Sequence, residues 1–156
     1  MDSSNRSGRV AGDEVRRVLD LLQKYRVAER DMQARARRLL SVSENELAAM
    51  RFLLRQPDRA ARPQDLLRHL AISSAAVTTM IDKLESAGRV KRRTVEGDRR
   101  AVAIVATTLA EEELRGVLGD ADTLMEAAAS GFTPSELRQV ETFLIAVTKT
   151  VDGIAA

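Results

Sequence analysis

Cysteine is absent from the 156-residue chain, and histidine occurs once, at His69. The first absence excludes disulfides, thiolate metal sites and cysteine redox switching. The second leaves too few partners for a histidine metal cluster or a Ser-His-Asp arrangement. No apolar run approaches the roughly 20 residues needed to cross a bilayer. The polar start, MDSSNRSGRVAG, has no apolar core like that of a secretion signal. The expectation is a soluble, cytoplasmic chain that works without a metal, cofactor, membrane partner or catalysis.

What the chain has is unevenly placed charge. The formal net charge is only +2. Residues 1–106 nevertheless carry 22 basic and 14 acidic side chains, whereas residues 107–156 carry 3 and 9. This asymmetry suggests that the first two-thirds meets a polyanion. A chain of this length suits one domain and buries roughly two-thirds of its unfolded surface.

Residues 1–11, rich in Ser, Gly and Asn, read as a mobile tail, with a single domain over 12–156. Over residues 13–40, Val15, Val18, Leu19, Leu22, Tyr25, Met32, Leu39 and Leu40 recur near a 3.6-residue period and predict one long helix. A helix of about 28 residues would extend ~42 Å, longer than a small domain is wide, so its apolar stripe implies a second subunit.

Ser43 and Glu46 have the spacing of a capping box, which predicts a helix running to about Arg55 and ended by Gln56-Pro57-Asp58. Pro63 suits a first helical turn, and residues 64–70 predict a short helix with Leu66, Leu67 and Leu70 inward. After the turn Ala71-Ile72-Ser73, residues 74–87 predict a second helix capped by Ser73 and stopped at Gly88. Its apolar face is Ala76, Val77, Met80, Ile81 and Leu84. Its opposite face, Ser74, Ala75, Thr78, Thr79, Asp82, Lys83 and Ser86, has little bulk.

Residues 89–95 and 100–106 predict a hairpin around Glu96-Gly97-Asp98. One helix over 109–129 and another over about 134–154 close the chain, the latter with Leu137, Val140, Leu144, Ile145, Val147 and Val151 on its apolar face. Glu111, Glu112 and Glu113 read as a charge cluster favoured near a helix N-terminus.

Short helix, three-residue turn, slim second helix and basic hairpin make, in that order, a winged helix-turn-helix. The second helix can enter a major groove, while the hairpin reaches the backbone or the minor groove. The fold class expected is mainly α with a small β-hairpin wing.

The stretch DLLRHLAISSAAVTTMIDKLESAGRVKRRTVEGDRRAVAIVATT, residues 65–108, resembles the core of the MarR family of bacterial transcription regulators. The features that carry the resemblance are a Ser, a Val-Thr pair, Leu-Glu-x-x-Gly-x-Val and an Asp-Arg-Arg wing, in that order. The likeness spans about 43–108, with helices over about 12–40 and 109–154 where the family keeps its dimerisation helices. It implies a homodimer on a near-palindromic operator in double-stranded DNA, usually a repressor relieved by a small-molecule effector.

The resemblance places Ser74, Ala75, Thr78 and Thr79 at groove-facing positions and Arg99 in the minor groove, with Asp98 and Arg100 shaping the wing. Together with Ser73, Lys83, Arg92 and Arg93, and with Arg100 also set against phosphate, these residues form the candidate DNA-contacting set. Thr79 stands where many members carry arginine, and Thr107-Thr108-Leu109-Ala110 replaces the family's Leu-Thr-x-x-Gly. Readout is therefore expected from thymine methyl contacts and hydroxyl bonds, with a larger share from the wing and DNA shape.

Tyr25, Met32 and Met50 could line an effector pocket, although their helical spacing favours core packing. His69 is expected on the outer side of its helix or against the turn. A winged helix that binds an acidic protein instead of DNA is the alternative reading. A small hydrolase lacks an evident base.

Overall fold

The computed structural model describes residues 3–95, 98–119 and 121–155, and the side chains of 12–95, 102–119, 121 and 123–154. The helices are α1 (Ser3–Leu40), α2 (Glu44–Leu54), α3 (Pro63–Leu70), α4 (Ser74–Ser86), α5 (Thr108–Leu118), α6 (Ala121–Ala129) and α7 (Pro134–Ala155). A three-residue 3-10 turn, Pro57–Arg59, precedes the strands β1 (Ala60–Ala61), β2 (Val90–Val95) and β3 (Asp98–Ala106). The strands form one antiparallel sheet in the order β1-β3-β2. The protein is thus mainly α with a small sheet. Among the described residues no helix is long and apolar enough to cross a membrane.

The chain groups into two compact units, Met1–Leu118 and Gly119–Ala156. The core of the first unit gathers Ala36 and Leu40 of α1, Leu47, Met50 and Leu53 of α2, and Leu66 of α3. Val77, Met80, Ile81 and Leu84 of α4, Val90, Ile104, and Ala110 and Leu114 of α5 complete it. These side chains recur at three- and four-residue spacing, so each helix turns one stripe inward.

Local chemistry sets the element boundaries. Ser43 Oγ accepts from the Glu46 amide at 3.2 Å, and the Glu46 carboxylate accepts from the Ser43 amide at 2.7 Å, closing the expected capping box. Ser73 Oγ accepts from the Ala76 amide at 3.2 Å and starts α4. Gly88, at φ 72°, ends α4. Its amide donates to Glu85 O at 2.9 Å and the Arg89 amide to Leu84 O at 2.9 Å, the paired bonds of a Schellman cap.

Four expectations are corrected. The backbone is helical from Ser3, so residues 3–11 continue α1 instead of forming a tail; no proline interrupts the run, and two glycines weaken a helix by only about 1 kcal/mol each. The helix expected over 109–129 is two helices, because Gly119 takes φ 62° and ends α5. Ala76 of α4 is exposed, not part of the inward stripe. The strand β1 was not foreseen, since two alanines carry no strand periodicity; it forms where β3 offers a free edge, pairing Ala60 with Val105 and Ala61 with Ile104.

Candidate nucleic-acid interface

Because the inward stripe of α4 is filled by Val77, Met80, Ile81 and Leu84, its remaining residues must face out. Ser74, Ala75, Thr78, Thr79, Asp82, Lys83 and Ser86 are all exposed, giving a slim face with no side chain bulkier than one lysine. The Thr78 hydroxyl donates to Ser74 O and the Thr79 hydroxyl to Ala75 O, each at 3.1 Å. These bonds occupy both hydroxyl hydrogens within the helix. The threonine methyls and oxygen lone pairs are left outward, so the hydroxyl bonding expected of this face narrows to acceptance. Ser73, its oxygen engaged as the α4 cap, still has its O–H to donate.

The wing is β2 with β3. Pairs run from Val90↔Ala106 to Thr94↔Val102, and the register then shifts to Val95↔Asp98. Such a bulge bends a hairpin and re-aims side chains near its tip. The side chains of Asp98, Arg99 and Arg100 lie outside the described residues. Alternation along β2 puts Lys91 and Arg93 on the face opposite Arg92, and all three are exposed.

Arg92 is not a free cation. Its Nη2 lies 2.6 Å from Asp82 Oδ1, its Nη1 donates to Glu85 Oε2, and its backbone amide donates to Glu85 Oε1 at 3.1 Å. The hydrogen bond to Asp82 raises its pKa, against a smaller effect of burial, with Glu85 adding to the rise. Among the described residues no ion pair engages Lys83, Lys91 or Arg93. The sequence reading grouped Arg92 with Arg93 as equivalent cations; strand alternation separates them, because only one face of β2 meets α4.

A second cation was missed altogether. Arg89, at the end of the α4 cap, donates from Nε to Glu113 Oε2 at 2.7 Å and from Nη2 to Glu113 Oε1 at 3.3 Å. The same Nη2 reaches Leu40 O at 2.9 Å, the last carbonyl of α1. Nearby, Arg59 engages Glu111 at 2.5 and 3.0 Å, and Arg115 joins the same carboxylate at 2.8 Å. The Glu111-Glu112-Glu113 run therefore supplies two ion-pair partners as well as helix N-terminal charge. No local signal marks these pairs, whose members are 24 and 52 residues apart.

Of the effector-pocket candidates, Met50 is fully buried in the core, Tyr25 is half-exposed on α1 and Met32 is partly buried. Burial raises the Tyr25 pKa, and the neighbouring Glu29 adds to the effect. A groove of about 250 Å³ between α1, α2 and α3 is lined by other residues, among them Gln33, Arg51, Phe52, Arg55 and His69. The His69 ring stacks on Phe52 with centroids 4.2 Å apart, an outward position consistent with its place on α3.

These elements define a winged helix-turn-helix: α3, the turn 71–73, α4 with its slim face, and the β2–β3 wing. The MarR family model matches residues 42–102. Over that segment the chain is similar to the MarR family. It is 40% identical over 48 residues to the HTH-type transcriptional regulator PecS of Dickeya dadantii, an alignment spanning 31% of this chain and 29% of that regulator. The fold is that of AbsC, a MarR family transcriptional regulator from Streptomyces coelicolor, at TM-score 0.58 and 18% identity over 98% of this chain and 97% of AbsC. It is also similar to Sco3205, a MarR family regulator from the same organism solved in complex with DNA, at TM-score 0.53 and 20% identity over 83% and 84% of the two chains.

Proposed function

We propose that this chain is a DNA-binding transcription regulator that acts in the cytoplasm as a homodimer on a near-palindromic operator, as a repressor released by a small-molecule effector. The observation that carries the reading is the outward face of α4, exposed from Ser74 to Ser86 along one side and flanked by a basic hairpin. A helix so slim fits a groove about 12 Å wide, and outward methyls on Ala75, Thr78 and Thr79 suit thymine contacts. In this reading Ser74 joins the groove-facing set, Ser73, Lys83 and Arg93 meet phosphate, Arg99 enters the minor groove, and Asp98 and Arg100 shape the wing, with Arg100 also against phosphate.

Dimerisation is supported by apolar surface left open on α1, including Val15, Val18 and Leu19, and on α7, including Leu137, Val140, Leu144 and Ile145. In this reading the helices over 12–40 and 109–154 complete one MarR-like domain with the winged helix. The groove beside Phe52 and His69 offers an effector a place within the first unit.

Binding to DNA upstream of its own coding sequence, measured by fluorescence anisotropy against random duplex, tests the reading. A preference of about a thousandfold or more is expected. Each phosphate neutralised contributes about −0.9 to the log–log salt slope. Equal affinity for both duplexes would overturn it and favour an acidic protein partner for the wing.

A further inference from the structure

We infer that Arg92 is a positioning residue that fixes the wing against the reading helix by gripping Asp82 and Glu85, and that these two carboxylates strengthen DNA binding despite their charge. The inference rests on the DNA-binding reading above.

Asp82 and Glu85 stand three residues apart on α4, so their side chains emerge as neighbours on one side of the helix. Arg92, on β2, meets both. A guanidinium presents its donors as a planar fork, and here the two prongs take one carboxylate each. Glu85 also binds the Arg92 backbone amide at 3.1 Å. Because β2 is the edge of the sheet, its outward amides have no strand partner, and Glu85 supplies one. The wing is thereby held through main chain and side chain at the same residue.

An isolated exposed ion pair contributes little, but one cation shared by two carboxylates and an added backbone bond form a network. The charge balance separates the two roles. Two carboxylates around one guanidinium leave the cluster net negative, which would repel a phosphate approaching Arg92. Acidic residues so close to the proposed DNA face are explained if they hold the wing. A wing fixed in advance avoids an ordering cost on binding.

The two roles give opposite signs. Glu85→Gln and Asp82→Asn remove negative charge beside the DNA, so electrostatics alone would tighten binding. The positioning role expects each to weaken it, by about three- to tenfold. Arg92→Ala should weaken binding while leaving the salt slope nearly unchanged, whereas a lost phosphate contact reduces its magnitude by about 0.9. Arg92→Lys should not rescue, because an ammonium cannot fork, while the exchanged pair Arg92→Glu with Glu85→Arg should recover part of the loss. Unchanged or tighter binding by the Gln and Asn variants, with a shallower slope for Arg92→Ala, would overturn the proposal.

Amide hydrogen exchange without DNA supplies an independent readout. Glu85→Gln should accelerate exchange at Arg92 several-fold while α4 core amides keep their protection. Unchanged exchange at Arg92 would refute the brace itself. A wild-type protein that binds no specific DNA, yet shows the accelerated exchange on substitution, would refute the functional reading and the positioning role built on it, leaving only a structural brace.

Discussion

Arg89 and Glu113 form a two-pronged ion pair, at 2.7 and 3.3 Å, that ties the end of the α4 cap to α5, while the same guanidinium closes the last carbonyl of α1. Both side chains are largely shielded, at 15% and 27% exposure. Arg89→Met removes all three bonds and strands a carboxylate with little access to water. Hydrogen bonds to charged groups contribute about 1.5–3 kcal/mol, so a loss of that order is expected. Urea denaturation should show a lower midpoint with an unchanged slope.

Two backbone positions should respond in opposite directions. Gly88 sits at φ 72°, and a Cβ added there would meet Leu109 Cδ2 at an ordinary 3.6 Å. Space is available, so Gly88→Ala should cost about 1 kcal/mol from backbone conformation alone. Ala71, in the turn before α4, occupies the left-handed region at φ 51° and already bears that cost. Ala71→Gly should stabilise by about 0.5 kcal/mol, the relief exceeding the added freedom of the unfolded chain. Thermal unfolding of the two variants beside the parent checks both signs.

The start of α7 should be acid-sensitive. The Thr133 hydroxyl and then its backbone amide donate to the Glu136 carboxylate, holding its pKa below the usual value. With the folded value depressed, the cap's contribution is present above the ordinary carboxylate pKa and is lost as pH falls through the folded one. An NMR titration should place the Glu136 midpoint below those of unpartnered glutamates, and Thr133→Ala should move it upward.

Arg99 is expected to reach the minor groove in the proposed complex. Arg99→Ala should weaken operator binding by about 1–3 kcal/mol and relax discrimination at the contacted step. Unchanged anisotropy titrations would return Arg99 to the solvated surface.

The open apolar face of α7 gives the dimer its test. Leu144 and Ile145 are 45% and 48% exposed in the single chain. If a second copy covers them, Leu144→Glu with Ile145→Glu should yield monomers in analytical ultracentrifugation and abolish operator binding. Persistent dimers would move the interface elsewhere.

Much of the fold could be read along the chain because the signals are local. The Ser43–Glu46 box, Pro63, the Ser73 cap and Gly88 each act within four residues, and all four mark boundaries in the structure. The break at Gly119 was missed because glycine inside an apolar periodic run is ambiguous without its dihedral angles. The effector-pocket candidates illustrate another limit. Helical spacing favoured core packing for Met50, and the residue is fully buried in the core, but spacing alone did not show that Tyr25 stands half-exposed.

The sequence by itself determined the order of helices, the slim outward face of α4 and the cationic content of the wing, because periodicity, capping and charge are properties of neighbouring residues. Only the tertiary structure decided which cations are spent within the fold. Arg92 and Arg93 are adjacent in sequence, yet one is gripped by Asp82 and Glu85 and the other faces away. Which acids a guanidinium meets depends on how a strand lies against a helix, and no local spacing encodes that.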